Sequence, residues 1–204
     1  MRCFKWLATL MLLPITVVAA LIFFATDNHA LVERSEVISP YSIIQAKQIF
    51  FANDPRRQRN GEIRTATIPS ALIDEGMNYV AGRYLHGRGA FVLVDNTGEI
   101  RISIGLPAKR FVNLRTNVDI VDGKPQISSA SLGSLPLPAT LVEFAIAKML
   151  TTYGFAKEWA LATQSIQKVT FSPNIGVVAV TYMWQPTILD HARSAALQEE
   201  DILR

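Results

Sequence analysis

The side chains that most often carry catalysis are few in this sequence, and they lie far apart. The histidines are His29, His86 and His191, and none has a second histidine or a carboxylate at ligand spacing on its own predicted element. No serine sits in a Gly-x-Ser-x-Gly elbow. Asp74-Glu75 are neighbours on a predicted helix, point about 100° apart, and indicate a solvated edge rather than an acid–base pair. We therefore predict no catalytic residue, no metal site and no cofactor, and we expect the protein not to be an enzyme.

A cluster of basic residues offers chemistry of another kind. Arg56, Arg57 and Arg59 follow one another closely after a predicted helix. Such a cluster suits anionic lipid head groups, because each basic residue near a membrane surface adds about 1 kcal/mol of attraction. The alternative is an exposed loop that only aids solubility. We favour this alternative, because the loop itself holds no aromatic or apolar anchor.

The most informative feature is the uncharged run from Trp6 to Ala25, preceded by Arg2 and Lys5. At about 1.5 Å per residue it covers roughly the 30 Å hydrocarbon core of a bilayer, which predicts a transmembrane helix. Basic residues ahead of the run keep the N-terminus in the cytoplasm and export the rest. The alternative is a cleaved signal peptide ending at Val18-Ala19-Ala20, but Leu-Ile-Phe-Phe is then an odd start for a soluble domain.

These observations predict the organisation of the chain and its place in the cell. We expect a bacterial inner (cell) membrane protein whose main domain is periplasmic or extracellular. Its parts are a cytoplasmic N-terminus (1–5), a transmembrane helix (6–25), a stalk (26–38), an exported domain (39–185) and a helical tail (186–204).

Charge and cysteine content limit the partners of the exported part. The net charge of the whole chain is +3, and two of its basic residues, Arg2 and Lys5, precede the apolar run. The exported part is therefore nearly neutral, which argues against a nucleic-acid partner. The single cysteine, Cys3, also precedes the run, so the exported part has neither a disulfide nor a cysteine metal site.

Hydrophobic periodicity predicts a sheet in the middle of the exported part. Ile100, Ile102 and Ile104 alternate with Arg101 and Ser103, and the next strand repeats the pattern. Four consecutive strands, each with one apolar face, indicate an antiparallel meander that is solvated on one side. Three further strands are predicted, near residues 62–68, 166–172 and 175–184.

Helical spacing predicts the remaining elements and completes the fold class. Helices are expected over residues 39–52, 70–85, 138–152 and 155–164, and the third is apolar almost all round, which predicts burial on most sides. The fold class is α+β: an N-terminal transmembrane helix followed by an antiparallel β-meander packed on two or three helices. The predicted core residues are Ile100, Ile102, Ile104, Val112, Leu114, Val118, Ile120, Leu141, Ala145 and Met149.

The order of elements and two short motifs carry a resemblance. Thr67-Ile68-Pro69-Ser70-Ala71-Leu72 opens a helix containing Met77-Asn78-Tyr79-Val80, and Leu132-Gly133-Ser134-Leu135-Pro136-Leu137-Pro138 leads into a later one. Over roughly residues 62–184 the chain resembles the bacterial YpmS-type family of single-pass membrane proteins. The resemblance implies membrane anchorage and brings no catalytic residues with it. More loosely, a meander around a helix is similar to lipid-binding tubular domains.

Together these features predict a membrane-anchored, non-catalytic cell-envelope protein that binds lipid or another hydrophobic ligand. The ligand is expected between the apolar sheet face and the apolar helix. The alternative is a structural or interaction protein that docks an envelope assembly through its C-terminal helix. The residues of that possible partner helix are Leu189, Ala192, Ala196 and Leu203.

Overall fold

Two antiparallel sheets, with helices packed against them, form the part of the chain that the structure describes. The structure is a computed structural model and describes residues 23–35, 39–54 and 58–184. The strands are β1 (Thr26–Asp27), β2 (Ile63–Pro69), β3 (Gly87–Val94), β4 (Thr97–Leu106), β5 (Arg110–Val121), β6 (Lys124–Leu132), β7 (Leu135–Leu137), β8 (Ile166–Ser172) and β9 (Val177–Met183). The helices are α1 (Pro40–Ala52), α2 (Ser70–Leu85), α3 (Ala139–Thr152) and α4 (Ala156–Ser165). The predicted α+β class is confirmed.

The larger sheet is the predicted meander with two short strands added, β7 beside β6 and β1 beside β5. Its strands follow the order β3-β4-β5-β6-β7, all antiparallel, and β1 pairs with β5. Gly89 lies opposite Ile102, and Ile102 lies opposite Leu114, so these residues share one face. We call this side the apolar face. Glu99 and Ser103 alternate with the isoleucines and belong to the opposite, polar face.

The two strands predicted after α4 leave the meander and form a second sheet. Its order is β2-β9-β8, so β9 pairs with a strand from far earlier in the chain. The buried core lies where the two sheets meet, around Phe91, Val169 and Val178. Gly98 allows this approach, because a Cβ there would lie 2.9 Å from the Phe91 ring and 3.1 Å from the Phe171 ring. The membership of β8 and β9 in a separate sheet was not predicted.

Helix α2 covers the apolar face at β3 and also closes the edge of that strand. A Cβ at Gly89 would lie 2.6 Å from the Met77 carbonyl oxygen, so helix and strand are in close contact. The Asn78 Oδ1 accepts from the Gly89 N–H, and the Asp74 Oδ1 accepts from the Phe91 N–H. These side chains occupy donors that an edge strand otherwise leaves open. Asp74 is therefore a structural acceptor and not part of the solvated edge that its sequence context indicated.

The core is thinner than the sequence predicted. Ile100 and Ile120 pack against the buried cluster, whereas Ile102, Ile104, Val112 and Leu114 are only partly buried. The prediction that α3 is buried on most sides is wrong, because Val142 is its one buried residue. Leu141 is 50% exposed, and Ala145 is exposed too. The physical reason is that the second sheet takes the position over the core that we had assigned to α3.

The sequence predicted a stalk over residues 26–38. In the structure, residues 26–35 instead lie on the sheet, and residues 36–38 fall outside the described part. Thr26 lies opposite Val112 and Asp27 opposite Phe111 in the β1–β5 ladder. The predicted transmembrane segment lies outside the described residues except for residues 23–25, which are helical. Among the residues that the structure describes, no helix has the length and apolar character needed to cross a membrane.

Candidate functional site

The chain passes directly from the end of the apolar run onto two turns of the larger sheet. The Ser134 N–H donates to the Phe24 carbonyl oxygen at 2.9 Å, and the Gly133 N–H donates to the Asn113 carbonyl oxygen at 2.7 Å. A Cβ at Gly133 would lie 2.7 Å from the Phe24 carbonyl oxygen, and its φ of +55° is one that L-residues rarely adopt. Only glycine fits here without a shift of the backbone. We call this contact the anchor junction.

Arg110, at the start of β5, caps the last carbonyl groups of the anchor junction. Its Nη2 donates to the Thr26 carbonyl oxygen at 2.8 Å and to the Thr26 Oγ1 at 2.7 Å, and its Nη1 donates to the Asn28 Oδ1 at 2.7 Å. Its guanidinium carbon lies 5.6 Å from the centre of the Phe23 ring. A cation is favourable at the C-terminal end of a helix and on an aromatic face. One side chain therefore joins the sheet to the helical residues 23–25.

Beyond the junction, two buried polar residues of the polar face hold the next segment. The Ser103 Oγ accepts from the N–H groups of Leu31 and Val32 at 2.8 and 2.9 Å, and it donates to the Asn113 Oδ1 at 2.7 Å. The Asn113 Nδ2 donates to the Asp27 Oδ2 at 2.7 Å and to the His29 carbonyl oxygen at 2.9 Å. We call this network the segment clamp. It corrects the prediction that this face of the sheet is solvated, because Ser103 is 3% exposed and Asn113 8%.

The segment then passes around the β3 edge and reaches α2. Arg34 forms an ion pair with Asp74, and the Asn78 Nδ2 donates to the Ser35 carbonyl oxygen. The Glu75 Oε2 accepts from the Ser39 N–H at 3.0 Å, directly at the start of α1. This backbone hydrogen bond holds the pKa of the Glu75 carboxyl below its ordinary value. The chain is thus bonded to the domain at successive points between residues 24 and 35 and again at residue 39, while residues 36–38 lie outside the described part.

The apolar face of the larger sheet is only partly covered on the side of the anchor junction. Helix α3 links β7 to the C-terminal end of α2, where the Tyr153 hydroxyl donates to the Tyr84 carbonyl oxygen at 2.9 Å. Leu106, at the junction end of β4, is 39% exposed, and Phe144 on α3 is 68% exposed. Exposed apolar side chains of this size are candidates for an interaction site.

Closed cavities do not account for this exposed apolar surface. The described pockets are open depressions of about 590, 320 and 550 Å³. The first lies at the β3–β4 turn beside Phe171, the second beside Tyr79 and His86, and the third around Arg59 and Glu62. None of these three depressions is an enclosed site for an apolar ligand.

The residues that the sequence proposed as sites are not brought together. Arg56 and Arg57 lie outside the described residues. Arg59 is exposed, and its N–H donates to the Glu62 Oε2 at 2.9 Å, a bond that lowers the pKa of Glu62. The partner-helix residues Leu189, Ala192, Ala196 and Leu203 also lie outside the described part. His86 ends α2 in the left-handed conformation, at φ +51°.

The residues that build the site were missed by sequence reasoning. Asn113 and Arg110 sit in a strand that alternates apolar and polar residues, so their polarity indicated a solvated face. Their partners lie more than 80 residues earlier in the chain, at Leu31 and Thr26. Local spacing carries no signal for such contacts. The one local signal for these contacts was the basic residue Arg110, which stands at the start of a strand directly after a turn.

Neither a search for metal-ligand geometry nor a comparison with known proteins indicates a function. Among the described residues, no group of three or more His, Cys, Asp or Glu side chains is placed to hold a metal ion. No family model matches the chain, and no curated protein or solved structure matches it either. The resemblance to the YpmS-type family therefore stays a prediction.

Proposed function

We propose that the protein is a membrane-anchored, non-catalytic cell-envelope protein that binds lipid acyl chains, or a similar hydrophobic ligand, on the apolar face of its larger sheet. The observation that carries this proposal is the anchor junction. If residues 6–25 span the membrane, a domain bonded to Phe24 without a stalk must lie against the bilayer surface.

The chemistry around the anchor junction suits a bilayer surface. Lys109 and Arg110 lie at the same turn as the exposed Leu106, and Phe23 and Phe24 project beside them. At a bilayer surface, basic side chains keep their charge among the lipid head groups, while Phe and Leu side chains enter the boundary with the acyl chains. Within this turn, Arg110 contacts the junction directly through its hydrogen bonds to Thr26.

The ligand is proposed from the incomplete cover of the apolar face. Ile102, Ile104, Val112 and Leu114 lie side by side in the β4–β5 ladder and stay partly exposed. Each buried CH₂ group contributes about 0.8 kcal/mol, so an acyl chain lying along this face would gain several kcal/mol. If residues 6–25 span the membrane, that face lies within reach of membrane lipid, and an acyl chain could enter from the bilayer without crossing water.

Photocrosslinking can test the lipid proposal on the full chain. The protein is reconstituted in vesicles that contain a phospholipid with a diazirine in its acyl chain, irradiated and digested, and the labelled peptides are identified by mass spectrometry. We expect label in β4 and β5 as well as in residues 6–25. Label confined to the apolar run would show that the domain does not take up acyl chains.

A pair of matched variants makes the result specific to the face. Ile104→Gln places an amide on the apolar face and should reduce labelling of β4 and β5 several-fold. Val94→Gln makes the same kind of change at the far end of β3, on the opposite face, and should leave labelling unchanged. Equal labelling of both variants would count against a site on this face. The alternative function, a protein that docks an envelope assembly through its C-terminal helix, concerns residues outside the described part.

A further inference from the structure

Helix α1 is oriented with its polar stripe inward and its large apolar side chains outward. Ser42 is its only buried residue, and Gln45 and Ile49 complete the inner stripe. Tyr41 is 70% exposed and Phe51 67% exposed. The other large side chains that α1 exposes are Ile43, Ile44 and Phe50.

The inward orientation of the polar stripe is fixed by specific hydrogen bonds. Ser39 caps the helix by accepting from the Ser42 N–H at 3.1 Å, and Glu75 of α2 holds the Ser39 N–H. At the other end the Tyr182 hydroxyl bonds to the Asn53 side chain at 3.2 Å. Because both ends are held, α1 cannot turn its apolar side toward the domain. Five large apolar side chains are exposed on this 13-residue helix, with the exposed Lys47 between them, and so much exposed apolar surface is typical of an interaction site.

The end of the described chain lies beside this surface. The Trp184 N–H donates to the Glu62 carbonyl oxygen at 2.8 Å, and Trp184 is buried. Two residues earlier, Tyr182 contacts Asn53, the residue that follows α1. The sequence therefore continues from a point next to the C-terminal end of α1.

We propose that residues 187–204 form a helix that packs antiparallel on the exposed apolar side of α1 in the same molecule. A helix that starts near Asn53 and follows α1 must run in the opposite direction. At about 1.5 Å per residue it would extend about 27 Å, enough to cover the roughly 20 Å of α1. Its stripe of Leu189, Ala192, Ala196 and Leu203 has two small residues between two large ones, and the small residues leave room for the bulky side chains of α1.

Charge complementarity supports the same orientation. In the antiparallel arrangement Glu199, Glu200 and Asp201 lie at the N-terminal end of α1. No acidic residue occupies the first turn of α1 itself, and the carboxylate of Glu75 from α2 already bonds at this end, so the tail would add further negative charge at the positive end of the helix dipole. A parallel arrangement would place these carboxylates at the opposite, negative end. This inference does not depend on the lipid proposal, because it concerns a different surface.

Disulfide trapping in the full chain tests the docking directly. With Cys3→Ser removing the native thiol, Phe51→Cys is combined with Leu189→Cys, and Ile44→Cys with Ala196→Cys. The two pairs are seven residues apart on each helix, so both belong to one antiparallel register. After mild oxidation we expect both bridges within one chain, seen as a faster band without reductant and as a linked peptide by mass spectrometry.

The matched control pairs Ile44→Cys with Ser194→Cys, which lies two residues from Ala196 on the opposite side of the predicted helix. We expect it to bridge at least about tenfold more slowly than the Ala196 pair. Equal rates for these two pairs would overturn the proposal, since they would indicate a tail without a fixed face. Bridges that join two chains would overturn it in favour of a second copy. Absence of both designed bridges would mean that lipid or another protein covers α1.

Discussion

Asn113→Asp hardly changes the shape of this side chain in the segment clamp, but it removes the half of the Asn113 hydrogen bonds that the side chain donates. The native Nδ2 donates to the Asp27 carboxylate and to the His29 carbonyl oxygen, and the Oδ1 accepts from Leu31 and Ser103. The substitution keeps both accepted bonds and removes both donated ones. It also places a second carboxylate within hydrogen-bonding distance of Asp27.

The magnitude follows from these contacts. A hydrogen bond to a charged group contributes about 1.5–3 kcal/mol and one to a carbonyl oxygen about 1 kcal/mol. Two like charges about 4 Å apart at an effective dielectric constant near 20 add up to about 4 kcal/mol before the side chains relax. Because residues 27–35 can detach locally, we expect their attachment to weaken by about 3–5 kcal/mol, which lowers exchange protection by a hundredfold or more.

The sign of the pH dependence provides a second criterion. In the variant, the carboxyl group at position 113 lies next to Asp27, and its pKa is raised above its unfolded value. The reason is that two adjacent carboxyl groups hold a shared proton more tightly than a single carboxyl group does. A raised folded-state pKa means that the penalty is full above that pKa and shrinks as the pH falls through it. The variant should therefore regain part of its protection, relative to wild type at the same pH, between pH 7 and pH 5.

Hydrogen exchange with mass spectrometry on the full chain in lipid nanodiscs measures this in the peptide over residues 27–35. The Leu31 and Val32 amides, which bond to Ser103, carry the signal. Asn174→Asp makes the same chemical change at an exposed turn and should leave this peptide as in wild type. If Asn113→Asp exchanges like wild type at pH 7, the clamp does not hold the segment and our reading of the polar face is wrong.

Three further outcomes are expected. Gly133→Ala should lower the free energy of unfolding by about 2–4 kcal/mol in urea melts, because the new Cβ clashes with the Phe24 carbonyl oxygen and the φ of residue 133 is unfavourable for alanine. Gly154→Ala carries only the cost of its φ of +80°, about 1–2 kcal/mol. Equal losses for the two variants would argue against the anchor junction. Glu75→Gln should cost about 1 kcal/mol at pH 7, and because the pKa of Glu75 is lowered in the folded state, the difference from wild type should shrink as the pH falls through that lowered pKa, so a loss that stays the same across the acid range would contradict this role. A reporter active only outside the cytoplasm, fused after Arg204, should be active, and the mature N-terminus should precede Leu21; an inactive reporter or a later start would contradict the proposed topology or the retained anchor.

The parts of the fold that could be predicted are those that local sequence determines. Ile100, Ile102 and Ile104 alternate with polar residues, and this period fixed both the strand and its apolar side. The Ser39 cap and Pro40 marked the start of α1, where the structure confirms the cap. In each case the residues that decide the element lie within a few positions of one another.

The parts that could not be predicted depend on contacts between distant residues. β9 pairs with β2, more than 100 residues earlier, and no local pattern distinguishes that partner from β6. Ser103 resembles any polar residue on a solvated face until residues 31 and 32 are seen to cover it. The outward apolar side of α1 was hidden for a further reason, since helical spacing gives a stripe but not the side that faces the domain.

The segment clamp also limits the orientations that the domain can take relative to the predicted membrane anchor. A domain on a flexible stalk samples many orientations over the membrane, and presenting one face to lipid then costs orientational entropy at each encounter. Here Arg110 bonds the sheet to Thr26, Ser134 bonds to Phe24, and the clamp holds the residues that follow. If residues 6–25 cross the bilayer, that cost is met once, on folding, and the apolar face keeps one fixed direction relative to the membrane. A hydrophobic ligand on a surface without an enclosed cavity can be retained only under such a condition, because the bilayer itself must then supply the missing wall of the site.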